Sequence, residues 1–147
     1  MKTNYMELKI PAQSINESFA RSVVAAFAVQ LNPTIEEISD IKTAVSEAVT
    51  NCIVHGYEKL GGEITLRARI ENNVLHIDVE DSGKGIENIE QAMQPFFTTK
   101  PEQERSGMGF TVMEAFSDEL KVSNRERGGL KVSMKKIFNK KSGEKNA

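Results

Sequence analysis

Glu-Ala-Val-Thr-Asn-Cys-Ile-Val-His-Gly, residues 47–56, is the stretch of the sequence that decides the fold. The apolar residues before and within it recur every three or four positions, which is the period of an amphipathic helix. They are Ile35, Ile38, Ile41, Val45, Ala48, Val49 and Cys52. Glu47, Asn51 and His55 are spaced four apart, so they share one strip of that helix. Such a strip is suited to line a cleft, although it also fits a solvated flank with a cap-like Asn.

The bulk composition predicts one globular domain. The chain has 147 residues, of which 39% are hydrophobic and 27% are charged, and these values are typical of a single domain with a normal core. We expect the domain to span residues 1–138 and a disordered basic tail to span residues 139–147. The net charge of −2 gives no indication of binding to nucleic acid or to an anionic membrane.

The sequence gives no sign of a membrane or secreted location. It has no apolar run long enough to span a bilayer and no signal-peptide pattern at its N-terminus, so we expect a cytoplasmic protein. Cys52 is the single cysteine, which excludes an intrachain disulfide. Its place on the apolar helix face predicts a small core residue.

The order of predicted elements indicates an α/β fold. A first strand precedes two helices, and a capping-box signature precedes each helix. The two signatures are Ser14 with Glu17 and Thr34 with Glu37. The second helix is predicted to run to about Gly56, and alternating strands follow it. The complete order, β-α-α-β-β-α-β-β, predicts a two-layer sandwich in which helices cover one face of a mixed, mostly antiparallel sheet.

The motif Asp81-Ser82-Gly83-Lys84-Gly85 follows a predicted strand and opens a loop. A carboxylate at a strand end can accept a hydrogen bond from an exocyclic amine such as that of adenine. Glycines two and four residues later permit positive φ and the close approach of a flat ligand. An ordinary glycine-rich turn would show the same residues. The dinucleotide fingerprint is excluded because its third glycine and following helix are missing.

A second glycine motif immediately precedes the third predicted helix. Its residues are Ser106, Gly107, Met108, Gly109 and Phe110. Glycines at a helix N-terminus expose backbone N–H groups, and the helix dipole adds positive potential, so together they favour phosphate. Hydroxyl and cationic side chains lie just upstream, in a long irregular segment. They are Thr98, Thr99, Lys100 and Arg105. The P-loop and protein-kinase signatures are absent.

Together these motifs resemble the ATP-binding domain shared by gyrase, Hsp90, histidine kinases and MutL. The resemblance rests on Glu47-x-x-x-Asn51, Asp81-x-Gly83-x-Gly85 and Gly107-x-Gly109, and it covers about residues 5–138. Residues 95–111 are also similar to the anti-sigma F factors of sporulating bacilli. That family implies a serine-protein kinase that sequesters a sigma factor, phosphorylates an anti-anti-sigma factor and forms a homodimer.

The resemblance implies a role for each matching residue. Asn51 would coordinate Mg²⁺, and Asp81 would bind the adenine amine of ATP in a pocket shaped by Gly83 and Gly85. Glu47 would be the base that accepts the proton of the attacking serine. Lys100 and the backbone of residues 107–110 would hold phosphates. One position departs from the family pattern, which often has a Gly-Thr pair on the last hairpin where this chain has Gly129 and Leu130.

Other functions stay open on the sequence. A related stress-response switch kinase would have a different sigma partner, and a non-catalytic binder would use ATP only to order its lid. A detached histidine-kinase domain is disfavoured because the chain has no separate helical hairpin with a phospho-acceptor histidine. Arg21, predicted to be exposed beside small residues on the first helix, is either a partner-binding anchor or a solubilising charge.

Overall fold

Five strands and four α-helices make up the part of the chain that the computed structural model describes, residues 3–57, 61–94 and 109–139. The strands are β1 (Thr3–Pro11), β2 (Glu63–Glu71), β3 (Val74–Glu80), β4 (Glu119–Asn124) and β5 (Leu130–Ile137). The helices are α1 (Ile15–Ala28), α2 (Ile35–Asn51), α3 (Ile89–Ala92) and α4 (Gly109–Ala115). A 3-10 turn, Val29–Leu31, follows α1, and a π-helix, Cys52–Gly56, follows α2.

The strands form one sheet in the order β1-β2-β3-β5-β4, and every pairing between them is antiparallel. The register places Leu66 of β2 opposite Val79 of β3, and Val79 opposite Val132 of β5. Because side chains alternate along a strand, this register collects apolar residues on one face. The predicted antiparallel pairing is confirmed, and the parallel component of a mixed sheet does not occur among the described strands.

The helices cover the apolar face of the sheet. Residues of α2 such as Ile41 and Val45 are fully buried in one core with Leu66 of β2 and Ile77 of β3. The opposite face is polar: Arg67 donates to Glu7 at 2.7 Å and forms an ion pair with Glu80 at 2.9 Å. This division confirms the predicted two-layer sandwich. No helix in the described ranges is long and apolar enough to cross a membrane.

The two predicted capping boxes have different outcomes. The Thr34–Glu37 box forms at the start of α2, with the Thr34 side chain accepting from the Glu37 N–H at 3.0 Å. The Ser14–Glu17 box does not form, because Ser14 itself has helical backbone angles and its side chain makes no cap hydrogen bond. The Glu17 carboxylate instead accepts hydrogen bonds from Arg21 at 3.3 Å and from Thr50 of α2 at 3.1 Å.

The carboxylate of Glu37 also holds the end of the last strand. One of its oxygens accepts from the Thr34 N–H at 2.8 Å, and the other accepts from the Asn139 N–H at 2.8 Å. The Asn139 side chain donates to the Leu31 carbonyl at 2.7 Å. Asn139, predicted to open the disordered tail, is therefore bonded to the domain. Residues 140–147 lie outside the described part of the chain.

The second helix reaches Gly56, as predicted, but changes form on the way. Its α-helical bonding stops at Asn51, and the π-helix continues with the Tyr57 N–H donating to the Cys52 carbonyl at 2.9 Å. Single π-turns occur frequently at functional sites, because the wider turn re-aims the side chains around it. Cys52 itself is 1% exposed, which confirms its predicted place in the core.

Candidate functional site

A cavity of about 510 Å³ opens where the end of α2, the loop after β3, the start of α4 and the β4–β5 hairpin meet. Its size lies in the range of sites for small molecules and nucleotides. Its walls carry several amides, an imidazole, two cationic side chains and one acidic side chain beside apolar surface. Among the residues that supply them are Asn51, His55, Lys84, Phe110, Asn124 and Arg125.

Two of the three residues in the strip Glu47, Asn51 and His55 line this cavity. Asn51 is 8% exposed and lines the cavity, as does His55 on the π-helix that follows. Glu47 is half-buried and is not among the described residues that line the cavity. It lies one helical turn before Asn51, about 6 Å along the axis. The structure therefore brings Asn51 to the cavity and leaves Glu47 beside it.

Asp81 directly follows β3 and is 1% exposed. Its Oδ1 accepts from the Gly83 N–H at 2.9 Å and from the Leu130 N–H at 3.3 Å. Its Oδ2 is buried and has no hydrogen-bond partner within the described residues. Burial raises the pKa of the Asp81 carboxyl, because removal from water disfavours its charge. The backbone hydrogen bonds from Gly83 and Leu130, the neighbouring Cys52 thiol and the charge of Arg125 offset only part of that effect.

Backbone and a thiol lie next to the Asp81 carboxylate. Asp81 is not among the described residues that line the cavity. A Cβ on Gly56 would lie 2.7 Å from Oδ2, so only glycine leaves this oxygen its room. Burial, followed by the charge of Asp81, raises the pKa of the Cys52 thiol well above its usual value. Cys52 is therefore a neutral neighbour of the carboxylate.

The two predicted glycines of the loop are required by protein contacts. A Cβ on Gly83 would lie 2.0 Å from the Gly56 carbonyl oxygen, which accepts from the Lys84 N–H at 3.2 Å. Gly85 has φ +73, and a Cβ there would lie 2.6 Å from Oδ1 of Asn124. These contacts explain both glycines without a ligand. Their predicted contact with a nucleotide stays a prediction.

Most of the predicted phosphate-binding segment lies outside the described residues. That group consists of Thr98, Thr99, Lys100, Arg105, Ser106, Gly107 and Met108. The last two predicted residues, Gly109 and Phe110, begin α4 and line the cavity opposite α2. The structure thus brings the C-terminal end of this segment to the same cavity as Asn51, although the two are far apart in the sequence.

Arg21 lies on α1, away from the cavity, and is less exposed than the sequence predicts. Its side chain retains 38% of its exposure. Its Nη1 donates to the carboxylate of Glu17 at 3.3 Å and to the hydroxyl of Ser46 on α2 at 3.3 Å. The guanidinium therefore links the two helices while it keeps one side open to solvent.

The resemblance drew attention to the last hairpin at Gly129 and Leu130, but sequence reasoning missed two other residues of that hairpin, Asn124 and Arg125. Asn124 and Arg125 both line the cavity, and both bond to the loop after β3. The signal available in the sequence was an amide and a cation just before the Gly128-Gly129 turn. These two residues can be assigned to the site only from the pairing of β5 with β3, which brings the hairpin beside Asp81.

Few side chains in the described residues could bind a metal ion. No group of three or more His, Cys, Asp or Glu side chains within residues 3–57, 61–94 and 109–139 is placed to hold one. Asn51 lines the cavity, and its amide oxygen is a hard ligand. Mg²⁺ typically takes only one or two protein oxygens and completes its shell with substrate phosphates and water, so Asn51 fits an ion brought in with a nucleotide.

Comparisons with known proteins identify the family and the fold. Residues 10–136 match the model of the histidine kinase-like ATPase domain. The chain is 64% identical over 136 residues to an anti-sigma F factor of Thermoanaerobacter sp. (strain X514), covering 92% of this chain and 95% of the relative. It is 59% identical over 138 residues to an anti-sigma F factor of Clostridium acetobutylicum, covering 94% and 96%.

A solved structure has the same fold. The catalytic domain of the histidine kinase ThkA matches 94% of this chain and 98% of its own length, with a TM-score of 0.57 and 18% sequence identity. At that identity the likeness concerns the fold alone. The match supports the two-layer architecture and leaves the chemistry to the residues of the cavity.

Proposed function

Because this chain belongs to the anti-sigma F factor family, which is built on a histidine kinase-like ATPase domain, we propose that it is an anti-sigma factor with serine-protein kinase activity. It binds Mg²⁺ and ATP, holds a sporulation sigma factor inactive, and phosphorylates a serine of an anti-anti-sigma factor. This role belongs in the cytoplasm, where sigma factors act. The identities of 54–64% to anti-sigma F factors support sigma F over the partner of a stress-response kinase.

The observation that carries the proposal is the partnerless oxygen Oδ2 of Asp81. A buried acceptor left unpaired costs about 1–3 kcal/mol, so a ligand that supplies a donor is favoured at this place. The exocyclic amine of adenine is such a donor. Guanine has a carbonyl oxygen at the corresponding ring position, and two acceptors facing each other would be unfavourable. We therefore propose that Asp81 selects ATP over GTP.

Asn51 is the proposed metal ligand, with its side-chain oxygen on Mg²⁺. The bound ion would neutralise charge on the triphosphate, which is a large part of what phosphoryl transfer requires. Asn51 is itself 8% exposed, so its rotamer is restricted before any ligand binds. Such restriction supports a positioning role better than a freely mobile surface amide would.

Glu47 is the proposed general base. The serine oxygen of the anti-anti-sigma factor would bond to the γ-phosphorus, the bond from that phosphorus to the β–γ bridging oxygen would break, and ADP would leave. The serine proton would pass to the Glu47 carboxylate. Glu47 is half-buried one turn before Asn51, beside the cavity.

The phosphates are proposed to lie against the segment that leads into α4. Its proposed contacts are Thr98, Thr99, Lys100, Arg105 and the backbone of residues 106–110. The position of Gly109 and Phe110 in the cavity wall supports this arrangement.

We also propose that the protein forms a homodimer through α1 and β1. Ile15 and Phe19, one turn apart on α1, are 78% and 51% exposed. β1 is an edge strand of the sheet, and Asn4 at its start donates to Gln30 just beyond α1 at 2.8 Å. An exposed strand edge beside exposed apolar side chains is typical of a surface that another chain covers.

Sedimentation of Phe19→Ser tests this surface. We expect the variant to be monomeric at concentrations at which the wild-type protein is dimeric. Ile35→Ser is the matched control, because Ile35 is 91% exposed at the start of the other long helix. Equal dimer fractions in Phe19→Ser and the wild-type protein would contradict the proposed interface.

A phosphotransfer assay with purified proteins tests the proposed function. The chain is incubated with Mg²⁺, γ-labelled ATP and candidate anti-anti-sigma proteins, and binding of purified sigma factors is measured with and without ATP. We expect label on a serine of the anti-anti-sigma factor. Label on a histidine of this chain would contradict the proposal in favour of a histidine kinase. ATP-dependent sigma binding without any transfer would indicate a non-catalytic binder.

A further inference from the structure

We propose that Asn124 and Arg125 are positioning residues of the nucleotide site. From the β4–β5 hairpin they hold the loop of residues 81–86 in the form that receives the adenine base. The two residues are called the hairpin clamp below. The inference rests on the proposed function, because that loop is assigned to the base of ATP.

Asn124 binds one residue of the loop, Ile86, at both of its backbone polar groups. Its Oδ1 accepts from the Ile86 N–H at 2.8 Å, and its Nδ2 donates to the Ile86 carbonyl at 2.7 Å. A carboxamide provides a donor and an acceptor in one plane, as a neighbouring strand would. An Asp at this position would keep the acceptor and lose the donor. The far end of the loop therefore depends on the amide in particular.

Arg125 binds the other end of the loop. Its Nη1 donates to the Asp81 carbonyl at 2.7 Å and to the Ser82 hydroxyl at 3.0 Å. Hydrogen bonds from a charged donor are roughly twice as strong as neutral ones. The backbone of Arg125 is itself fixed, since its N–H donates to the Gly129 carbonyl at 2.9 Å. The backbone of Arg125 is thus held in place while its guanidinium binds the main-chain carbonyl of Asp81.

The close fit of Gly85 supports the clamp. Any Cβ at Gly85 would lie 2.6 Å from Oδ1 of Asn124, so the clamp and a side chain at position 85 exclude each other. The clamp also accounts for Leu130, where the family often has a threonine. The Leu130 side chain is 3% exposed in the core, and only its backbone binds Asp81: its N–H donates to Oδ1 at 3.3 Å and its carbonyl accepts from the Asp81 N–H at 3.1 Å. The hairpin therefore supports the base site through Asn124, Arg125 and backbone.

Three substitutions on one hairpin test the clamp. Asn124→Asp replaces the amide donor with a negatively charged acceptor at little change of shape, and Arg125→Ala removes the guanidinium. Arg127→Ala is the matched control, because Arg127 is an exposed cation on the same hairpin. For each variant we would measure the Kd of ATP and of GTP by calorimetry, the single-turnover transfer rate at saturating ATP, and hydrogen exchange of residues 81–88 in the nucleotide-free protein.

We expect about a tenfold weaker ATP affinity in Asn124→Asp and Arg125→Ala, the effect of one net hydrogen bond to a charged group. Discrimination against GTP should narrow, exchange in residues 81–88 should accelerate, and the rate at saturating ATP should stay within about twofold, because the clamp does not touch the transferred phosphate. Arg127→Ala should match the wild-type protein in every measurement.

Failure of the clamp can be distinguished from failure of the proposed function. A wild-type protein that binds no ATP would overturn the proposed function and, with it, the nucleotide role of the clamp. Folded Asn124→Asp and Arg125→Ala proteins with wild-type ATP affinity, GTP discrimination and exchange would overturn the clamp alone. A loss of the saturating rate with unchanged affinity would also overturn it, because the two residues would then act on the chemical step. Arg125→Lys, which keeps one cationic donor, should recover part of the affinity.

Discussion

The two long helices, α1 and α2, pack against each other yet differ in what they direct toward solvent. Both follow the same four-residue capping signature, but only α2 uses it, while the acid of the other signature, Glu17, bonds to Arg21 and Thr50. α2 buries Asn51 beside the cavity, whereas α1 leaves Ile15 and Phe19 exposed. α2 thus directs an amide inward, and α1, although Val24 and Ala28 are buried, leaves two large apolar side chains exposed.

This difference indicates a division of labour between neighbouring helices. A buried amide costs free energy unless something binds it, and an exposed Phe gains free energy when something covers it. α2 is therefore arranged for a polar ligand within the domain, and α1 is arranged for another protein surface. Substitutions on the two helices should affect different measurements, and the predictions below follow from that expectation.

The largest effect is expected at the inner strip of α2. Glu47→Gln keeps the shape of the side chain and removes its basic charge, so it should slow phosphotransfer by about 10²- to 10⁴-fold, while ATP and sigma binding persist. The low end is favoured because a loose phosphoryl transition state needs little help from a base. Asn51→Ala should weaken Mg²⁺–ATP binding as well as transfer. Single-turnover assays at saturating ATP measure both, and a wild-type rate in Glu47→Gln would remove Glu47 from the mechanism.

A smaller effect is expected at Asp81, which lies against Gly56 at the end of the π-helix after α2. It should have opposite signs for ATP affinity and for GTP affinity. Asp81→Asn can present a donor to the adenine amine, so ATP affinity should fall by about 1–3 kcal/mol. GTP affinity should rise. Calorimetric titration measures both. Unchanged affinity for ATP, with no gain for GTP, would contradict the assignment.

The same substitution should stabilise the nucleotide-free protein at neutral pH. Burial raises the pKa of Asp81 in the folded state, so the contribution of this carboxyl to stability is present below its unfolded pKa and is lost as pH rises through its folded pKa. A neutral Asn does not lose that contribution. Urea unfolding at pH 7 should therefore give a higher free energy of unfolding for Asp81→Asn than for the wild-type protein.

A moderate effect on partner binding alone is expected at α1. Arg21→Ala should weaken binding of the sigma or anti-anti-sigma factor by about 1–2 kcal/mol, as for an interface Arg, and leave ATP affinity unchanged. Ser46→Ala is the matched control, because it removes a hydrogen bond of Arg21 and leaves the guanidinium in place. If the control weakens partner binding equally, Arg21 acts through helix packing. If both partner affinities survive Arg21→Ala, Arg21 is a surface residue only.

The smallest effect separates the two helix starts. Thr34→Ala removes a formed cap and should lower the free energy of unfolding by about 1 kcal/mol. Ser14→Ala removes a hydroxyl that makes no cap hydrogen bond, and its effect should be within about 0.5 kcal/mol. Parallel urea titrations compare the two directly. Equal losses in the free energy of unfolding would show that the Ser14 box forms in solution. The starts of α1 and α2 would then not differ.

Local patterns in the sequence were sufficient to predict the strands and helices whose apolar residues recur at a regular spacing. The alternation in β2 and the helical spacing in α2 predict which faces are buried, because both reflect burial against one core. The π-turn after Asn51 was not predictable, since a wider turn keeps the same apolar residues buried. The two capping signatures are equivalent in sequence, and only the tertiary contact of Glu17 with Thr50 separates them.

The candidate site was predictable only where its residues lie within one short segment. Asp81 and Asn51 each stand in a local motif. Arg125 and Asn124 contact residues that are 38–44 positions earlier in the chain, and the pairing of β5 with β3 sets those contacts. Residue types alone carry no record of such pairing. For that reason the hairpin clamp became visible only in the structure.

The shared carboxylate of Glu37 links the opening motions of two remote segments. One oxygen caps the start of α2 and the other holds Asn139 just beyond β5, at a sequence separation of 102 residues. If either segment frays, the Glu37 carboxylate loses one of its two hydrogen bonds and holds the other segment less firmly. We therefore expect the amide protons at the start of α2 and those at the end of β5 to exchange with a common opening free energy, as one cooperative unit rather than as two independent chain ends.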